Sequence, residues 1–197
     1  MTANALHLSK SQEHPTPPEI CLAAREVLGR VQLDPASSRE FNTHLQAERI
    51  YDRPVDGLTQ PWWGTVFLNP PGGTFTARRK SVEDGPPLET SPADVAHRER
   101  WGTDSRAVAW WRKLVTECDK PAPDDVTAAI FVGFTLEILQ QAQEPGWLSP
   151  MHFPFCVPAK RLHFGGDQPT HANVIVYIGE DVERFARVFA KFGLVKA

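Results

Sequence analysis

A surplus of positive charge is missing from this chain of 197 residues: 21 Lys and Arg stand against 24 Asp and Glu, a formal net charge of -3. A protein coated in basic residues is excluded, so contact with nucleic acid would have to come from a local basic patch. Paired cysteines are missing too. Cys21, Cys118 and Cys156 are odd in number and far apart, with no C-x-x-C spacing, which predicts reduced, mostly buried thiols and no metal site. No apolar run is long enough to span a membrane, and the opening MTANALHLSKSQEHP has no apolar signal core. These absences predict a cytoplasmic protein without a membrane partner.

Proline, by contrast, is plentiful. Its 18 copies are spread along the chain and predict sharp turns and long loops, not a low-complexity tail. Residues 1–14 read as a flexible polar leader and 15–197 as a single domain. TPPEICLAAREVLG predicts a helix with Thr16 as cap, early prolines, a stripe of Ile20, Ala24, Val27 and Leu28, and Gly29 past its end. VQLDPASS and TVFLN read as strands, and REFNTHLQAERIY as weakly helical before another short strand. SRAVAWWRKLVTEC reads as a helix with Val108, Trp111, Val115 and Cys118 on one face. VTAAIFVGF is a continuous apolar strand of the kind found mid-sheet. LEILQQAQ predicts a helix, FPFCVP and ANVIVYIG strands, and DVERFARVFAKFG a closing helix ended by Gly193. Residues 72–104 show little regular pattern and read as a long loop or insertion over the active site. Strands alternating with helices predict a three-layer α/β domain with a mostly parallel sheet, whose ligands lie beyond the strand carboxyl ends.

The chemistry is concentrated in TVFLNPPGGTF. A rigid turn would explain Asn69-Pro70-Pro71 by itself. The prolines also fix φ and remove amide donors, which holds the carbonyl between Asn69 and Pro70 in one direction. The Asn69 side-chain oxygen brings a second acceptor to the same spot. Two converging acceptors suit an exocyclic or amide NH2 group. Accepting hydrogen bonds from both of its hydrogens builds electron density on a flat, weakly nucleophilic nitrogen, so that it can attack an electrophilic methyl group.

With those residues in place, the run DGLTQPWWGTVFLNPP resembles the phage-type DNA adenine-N6-methyltransferase (Dam-like) family. The similarity continues in order through TPPEI, LDPASS, AVAWWRKL and AKRLHFGG…ANVIVYI, from Thr16 to about Ile178. The resemblance implies a Rossmann-like class I methyltransferase fold, S-adenosylmethionine as cofactor, and DNA as partner with the target adenine flipped out. It implies that Thr16 and Pro17 close over the methionine end of the cofactor. Asp34 and Pro35 would form the first acidic loop, near the cofactor's amino group or bound water. Asp56 would accept from the adenine N6 of the cofactor with Leu58 against the ring, and Asn69, Pro70 and Pro71 would form the catalytic turn. Thr16 also suits a helix cap, and Asp34 and Asp56 also suit turn anchors. DPASSREFN has no glycine-rich phosphate turn, which argues against a dinucleotide and is compatible with a cofactor that carries no phosphate.

One position departs from the family pattern. Where relatives carry an aromatic residue that stacks on the target base, this chain has Gly72. Stacking of that kind is worth about 1–3 kcal/mol. Phe75 swinging into place, Trp101 in the following loop, or a protein that no longer methylates a base are three answers. Basic residues of the same segment, Arg78, Arg79 and Lys80 with Arg98 and Arg100, are candidates for DNA contact. So are Arg106, Arg112 and Lys113 on the next helix, and Lys160, Arg161 and His163 further on. Two other functions use the same signature: methyl transfer to RNA or to protein glutamine, and a non-catalytic nucleic-acid-binding domain on a methyltransferase scaffold.

Overall fold

The apolar run Val126–Gly133 is an eight-residue strand, β4, whose side chains divide between two cores as strand geometry requires. Ala129 and Phe131 face one core, Ile130 and Val132 the other. The computed structural model that shows this describes residues 15–76, 90–165 and 171–197. Neighbouring β3 (Gly64–Leu68) sends Val66 and Leu68 to the first core and Phe67 to the second. Helix α4 (Arg106–Cys118) covers the first face with Val108, Trp111 and Leu114. Helices α1 (Pro18–Leu28) and α6 (Val182–Phe189) cover the second with Ile20, Ala24, Val27, Phe185 and Phe189. The layers are therefore helix, sheet, helix.

Strands β1 (Leu33–Asp34), β2 (Arg49–Ile50), β5 (Phe155–Pro158), β6 (Val174–Ile178) and β7 (Gly193–Lys196) complete a seven-stranded sheet in the order β2-β1-β3-β4-β6-β5-β7. The pairings β2-β1, β1-β3 and β3-β4 are parallel, while β4-β6, β6-β5 and β5-β7 are antiparallel. The sheet is thus mixed: most strands run one way, but half of the pairings are antiparallel because β6 and β7 each run against their neighbours. The order places the site. From β1 the chain crosses to β2 on one side and then returns to β3 on the other. The carboxyl ends of β1 and β3 flank that reversal, where open α/β sheets leave a crevice for ligands.

Several local expectations change. Thr16 does not cap α1; Pro17 holds the cap position with no side-chain cap bond. The supposedly irregular 72–104 segment contains α3 (Pro92–Trp101), capped by Ser91, whose hydroxyl accepts from the Asp94 amide at 3.1 Å. Only His97 and Trp101, one turn apart, are buried on α3, so an apolar stripe was never there to read. The last helix ends at Phe189, and Gly193 opens the edge strand β7. A Cβ on Gly193 would lie 2.1 Å from the Val157 carbonyl oxygen, a cross-strand approach that only glycine allows. The 1–14 leader, and Arg78, Arg79 and Lys80, lie outside the described residues. Two short helices, α2 (Asn42–Leu45) and α5 (Glu137–Gln141), fill the remaining connections. No helix among the described residues is long and apolar enough to cross a membrane.

Two basic residues proposed for DNA contact prove to be structural. Arg112 and Lys113 are 2% and 4% exposed. Arg112 donates to the Trp101 carbonyl and to Glu144. Lys113 and Lys120 donate to Glu117, which also accepts the Trp62 amide at 3.1 Å. Burial pulls the Lys113 ammonium below its usual range against the attraction of Glu117. Burial opposes the Glu117 charge as well, yet its three donors hold the carboxyl below the usual range. Removing one member of such a buried pair leaves the other uncompensated. Glu117→Ala is expected to cost about 3–5 kcal/mol, read as a lower urea midpoint at an unchanged slope.

Candidate active site

Three loops converge at the reversal. The first leaves β1 as Asp34-Pro35-Ala36-Ser37. Asp34 is 5% exposed, and its Oδ1 accepts from the Ala36 amide at 3.1 Å. The Tyr51 amide donates to the Asp34 carbonyl at 3.0 Å and the Ser37 amide to the Tyr51 carbonyl at 3.1 Å, tying the loop to the end of β2. Burial pushes the Asp34 carboxyl up to about 7, against the opposing pull of hydrogen bonds from Ala36 and Ser37. Among the described residues no cationic side chain pairs with it. The nearby Cys21 thiol, desolvated and close to that carboxyl, is pushed up to about 12 and is no nucleophile.

The second loop is the D-G-L turn. Asp56 sits at φ 56°, in the left-handed region that a non-glycine residue rarely adopts. Gly57 follows for a steric reason: a Cβ there would lie 2.0 Å from the Pro35 carbonyl oxygen and 3.0 Å from the Trp110 ring. The Trp62 indole N–H donates to the Gly57 carbonyl at 2.8 Å, and Trp62 stacks on Trp110 with ring centroids 5.6 Å apart. Leu58 is buried beneath the turn.

The third loop is the Asn-Pro-Pro turn at the end of β3. Asn69 is half-buried, and its Nδ2 donates to the Thr16 hydroxyl at 3.0 Å, a contact between residues 53 positions apart. This bond turns the Nδ2 end of the amide toward Thr16. Gly73, at φ 85°, then doubles the chain back, and its carbonyl accepts from the Arg106 amide at 3.1 Å. A pocket of about 600 Å³ opens between the loops, with Pro35, Asp56, Leu58, Pro71, His97 and Trp110 in its wall.

The structure therefore brings Pro35, Asp56, Leu58 and Pro71 into one wall, with Asp34 and Asn69 in the loops that carry Pro35 and Pro71 and with Thr16 bonded to Asn69. Pro17 and Pro70 are buried. Phe75 and Trp101 go elsewhere. At 1% and 5% exposed, both are packed into the α4 core, Phe75 against His97 and Trp101 against Trp147, so neither offers a face to a base. Among the described residues no atom lies within 4 Å of a would-be Cβ on Gly72. Sequence reasoning missed Gly57, His97 and Trp110. The D-G-L glycine was readable in principle as a close backbone approach, whereas His97 depended on seeing α3.

Neither a protein-family model nor a curated protein matches the chain. Among solved structures, a Vibrio vulnificus YJ016 protein described as a modification subunit of a type I restriction enzyme aligns at 14% identity and a TM-score of 0.45. The alignment covers 86% of this chain and 45% of that one, so the present chain spans less than half of that structure's length.

The buried Asp34 makes a test possible. Its folded-state carboxyl is raised above the unfolded value of about 3.9. The folded state therefore holds the proton more tightly, and this group's stabilising contribution is full below about pH 4 and lost as pH rises to about 7. Asp34→Asn should gain on wild type over that window, with a slope approaching about 1.4 kcal/mol per pH unit. Urea unfolding of both proteins across the window measures the difference; parallel profiles would show that Asp34 titrates normally.

Proposed function

We propose that the chain is an S-adenosylmethionine-dependent methyltransferase acting on the N6 amine of adenine in DNA, of the phage or prophage type. The Thr16–Asn69 hydrogen bond carries the proposal: it fixes the orientation of the Asn-Pro-Pro amide at the strand end beside the pocket. Class I Rossmann-like architecture is part of this reading, supported by the α/β/α layers and by the crevice between β1 and β3.

The residues fit the cofactor by their chemistry. Asp34 is a buried carboxyl raised by desolvation and without a cationic partner among the described residues, which suits a ligand that brings an ammonium group. Asp56 and Leu58 offer an acceptor and an apolar face in the same wall, as an amino-substituted heterocycle requires. Thr16 and Pro17 stand at the start of α1, where they would cover the methionine end, with Pro35 on the opposite loop. When bound, S-adenosylmethionine supplies a methyl group activated on a sulfonium sulfur.

The chain's own contribution is to the amine. Asn69 Oδ1 and the carbonyl at the Asn69–Pro70 bond would each accept a hydrogen bond from the amine, which shifts electron density onto the nitrogen as its charge develops, and the surplus proton of the methylated amine leaves to solvent. Pro70 and Pro71 fix the backbone so that neither acceptor has to reorganise during the reaction. We expect Asn69→Ala to abolish methyl transfer while leaving S-adenosylhomocysteine affinity within about threefold, because the lost interaction belongs to the transition state. Expression in a methylation-deficient bacterium should put N6-methyladenine into host DNA by mass spectrometry. DNA free of it, with labelled methyl found in RNA or protein, would change the acceptor.

DNA contact on this reading falls to exposed cations near the site. Lys160, Arg161 and His163 are exposed on the β5–β6 connection, while the alternating Leu162 and Phe164 are buried and anchor it. A Cβ on Gly165 would lie 2.7 Å from Pro15, so this loop abuts the segment that carries Thr16. On α3, Arg98 and Arg100 are exposed as well, Arg98 donating to the Thr76 hydroxyl at 3.2 Å. Replacing Lys160 and Arg161 together by Gln should weaken duplex binding whatever its sequence. It should also flatten the dependence of log affinity on log salt by about one to two. An unchanged slope in a fluorescence-anisotropy titration would remove this loop from the interface.

A further inference from the structure

The pocket holds a pair that the cofactor reading does not require. Asp56 Oδ2 lies 2.7 Å from His97 Nε2. A carboxylate accepts and does not donate, so Nε2 carries the hydrogen and His97 is the donor. We propose that His97 is a positioning residue that sets the specificity of the pocket: by occupying one Asp56 oxygen, it presents the other as a fixed acceptor that admits a 6-amino purine and rejects a 6-oxo purine. This rests on the reading of the pocket as an S-adenosylmethionine site.

Both partners are immobilised. The Asp56 backbone is held in its unusual φ of 56° by its amide bond to the Asp52 carbonyl at 3.2 Å, and by the Thr59 amide and hydroxyl, which donate to its carbonyl at 2.9 and 2.8 Å. Such strain persists where the surroundings over-determine it. His97 is 8% exposed, with its ring against Phe75 at a centroid separation of 5.6 Å. Phe75 is itself buried beneath the Arg106 guanidinium, 4.7 Å above its ring, and Arg106 is paired to Asp94 at 2.7 Å. The imidazole therefore cannot swing aside. The Asp56 side chain remains 34% exposed, and no described residue donates to its Oδ1, while both Asp56 and His97 line the pocket.

The consequence is chemical discrimination. An exocyclic amine donates to a carboxylate oxygen; a ring carbonyl in the same position sets lone pair against lone pair. Rejection is strong only when the acceptor cannot turn away, and His97 removes that freedom. Without it, Asp56 can rotate about its own side-chain torsions and yield to the oxo ligand.

Calorimetry with S-adenosylhomocysteine and its deaminated counterpart, S-inosylhomocysteine, tests this on the full chain. Wild type should prefer the amino form by about a hundredfold or more. His97→Phe should narrow that ratio by about tenfold, chiefly by admitting the inosyl form, and His97→Gln should restore most of it by returning a donor at similar reach. Should His97→Phe fail to fold, His97→Met is expected to behave in the same way. Equal losses for both ligands, or an unchanged ratio, would reduce His97 to a structural role and overturn the proposal. So would a wild type that binds both ligands equally. A wild type that binds neither ligand would overturn the cofactor reading itself, an outcome distinct from any change in the ratio.

Discussion

The architecture of the site turns on how closely two loops approach. The D-G-L turn lies on the Asp34-Pro35 loop at a distance that leaves no room for a methyl group, with 2.0 Å between a hypothetical Gly57 Cβ and the Pro35 carbonyl oxygen. From that contact follow the placement of Asp56 and Leu58 in the pocket wall and the hydrogen bond from Trp62 to the Gly57 carbonyl. Trp62 is held in turn by its amide bond to Glu117 and its stack on Trp110. The buried charges of α4 are thus the far end of the scaffold that positions Asp56. Buried ion pairs are weak evidence for stability in themselves, since their desolvation is costly. Their consequence here is geometric: Glu117 commits the backbone at Trp62 to one position.

Much of this was legible in the chain, and the part that was not has physical causes. The alternation of β3, β4 and β6 between two cores is what continuous apolar runs such as VTAAIFVG imply, and the stripe of α1 at Ile20, Ala24 and Val27 is buried as read. LDPASS and FLNPPGG were read at strand carboxyl ends, whereas the D-G-L turn joined them only through the family resemblance; the structure packs that turn on the Asp34-Pro35 loop. Helix α3 escaped because its inward face consists of a histidine and a tryptophan four residues apart, set among charges that hydropathy reads as loop. Strand β7 escaped because an edge strand of four residues alternates too briefly to register. Arg112 and Lys113 were misread because charge suggests surface unless a partner is known; Glu117, one turn on in the same helix, was there to be read beside Lys113, whereas Glu144 reaches Arg112 only on folding. Thr16 suited either a helix cap or the site; it does not cap α1, and its hydroxyl instead accepts from Asn69.

On the proposed reading the two halves of the site are built differently. The cofactor half is walled by packed, hydrogen-bonded side chains, with Asp56, His97 and Phe75 locked in sequence. Among the described residues the acceptor half is open at Gly72, and the aromatic residue nearest in the chain, Phe75, is spent on holding His97. Base stacking acts in ground state and transition state alike, so its loss raises KM more than it lowers kcat. The acceptors at Asn69 act on charge that appears only as the nitrogen attacks. A chain that gives up the stacking ring but keeps a rigid Asn-Pro-Pro turn therefore gives up affinity for its target base, not the chemistry. The missing contact is worth about 1–3 kcal/mol, a size that the exposed cations of α3 and of the β5–β6 connection can offset through phosphate contacts. Such compensation is independent of sequence, so it restores binding without restoring the discrimination that a stacked, shape-matched base pocket provides.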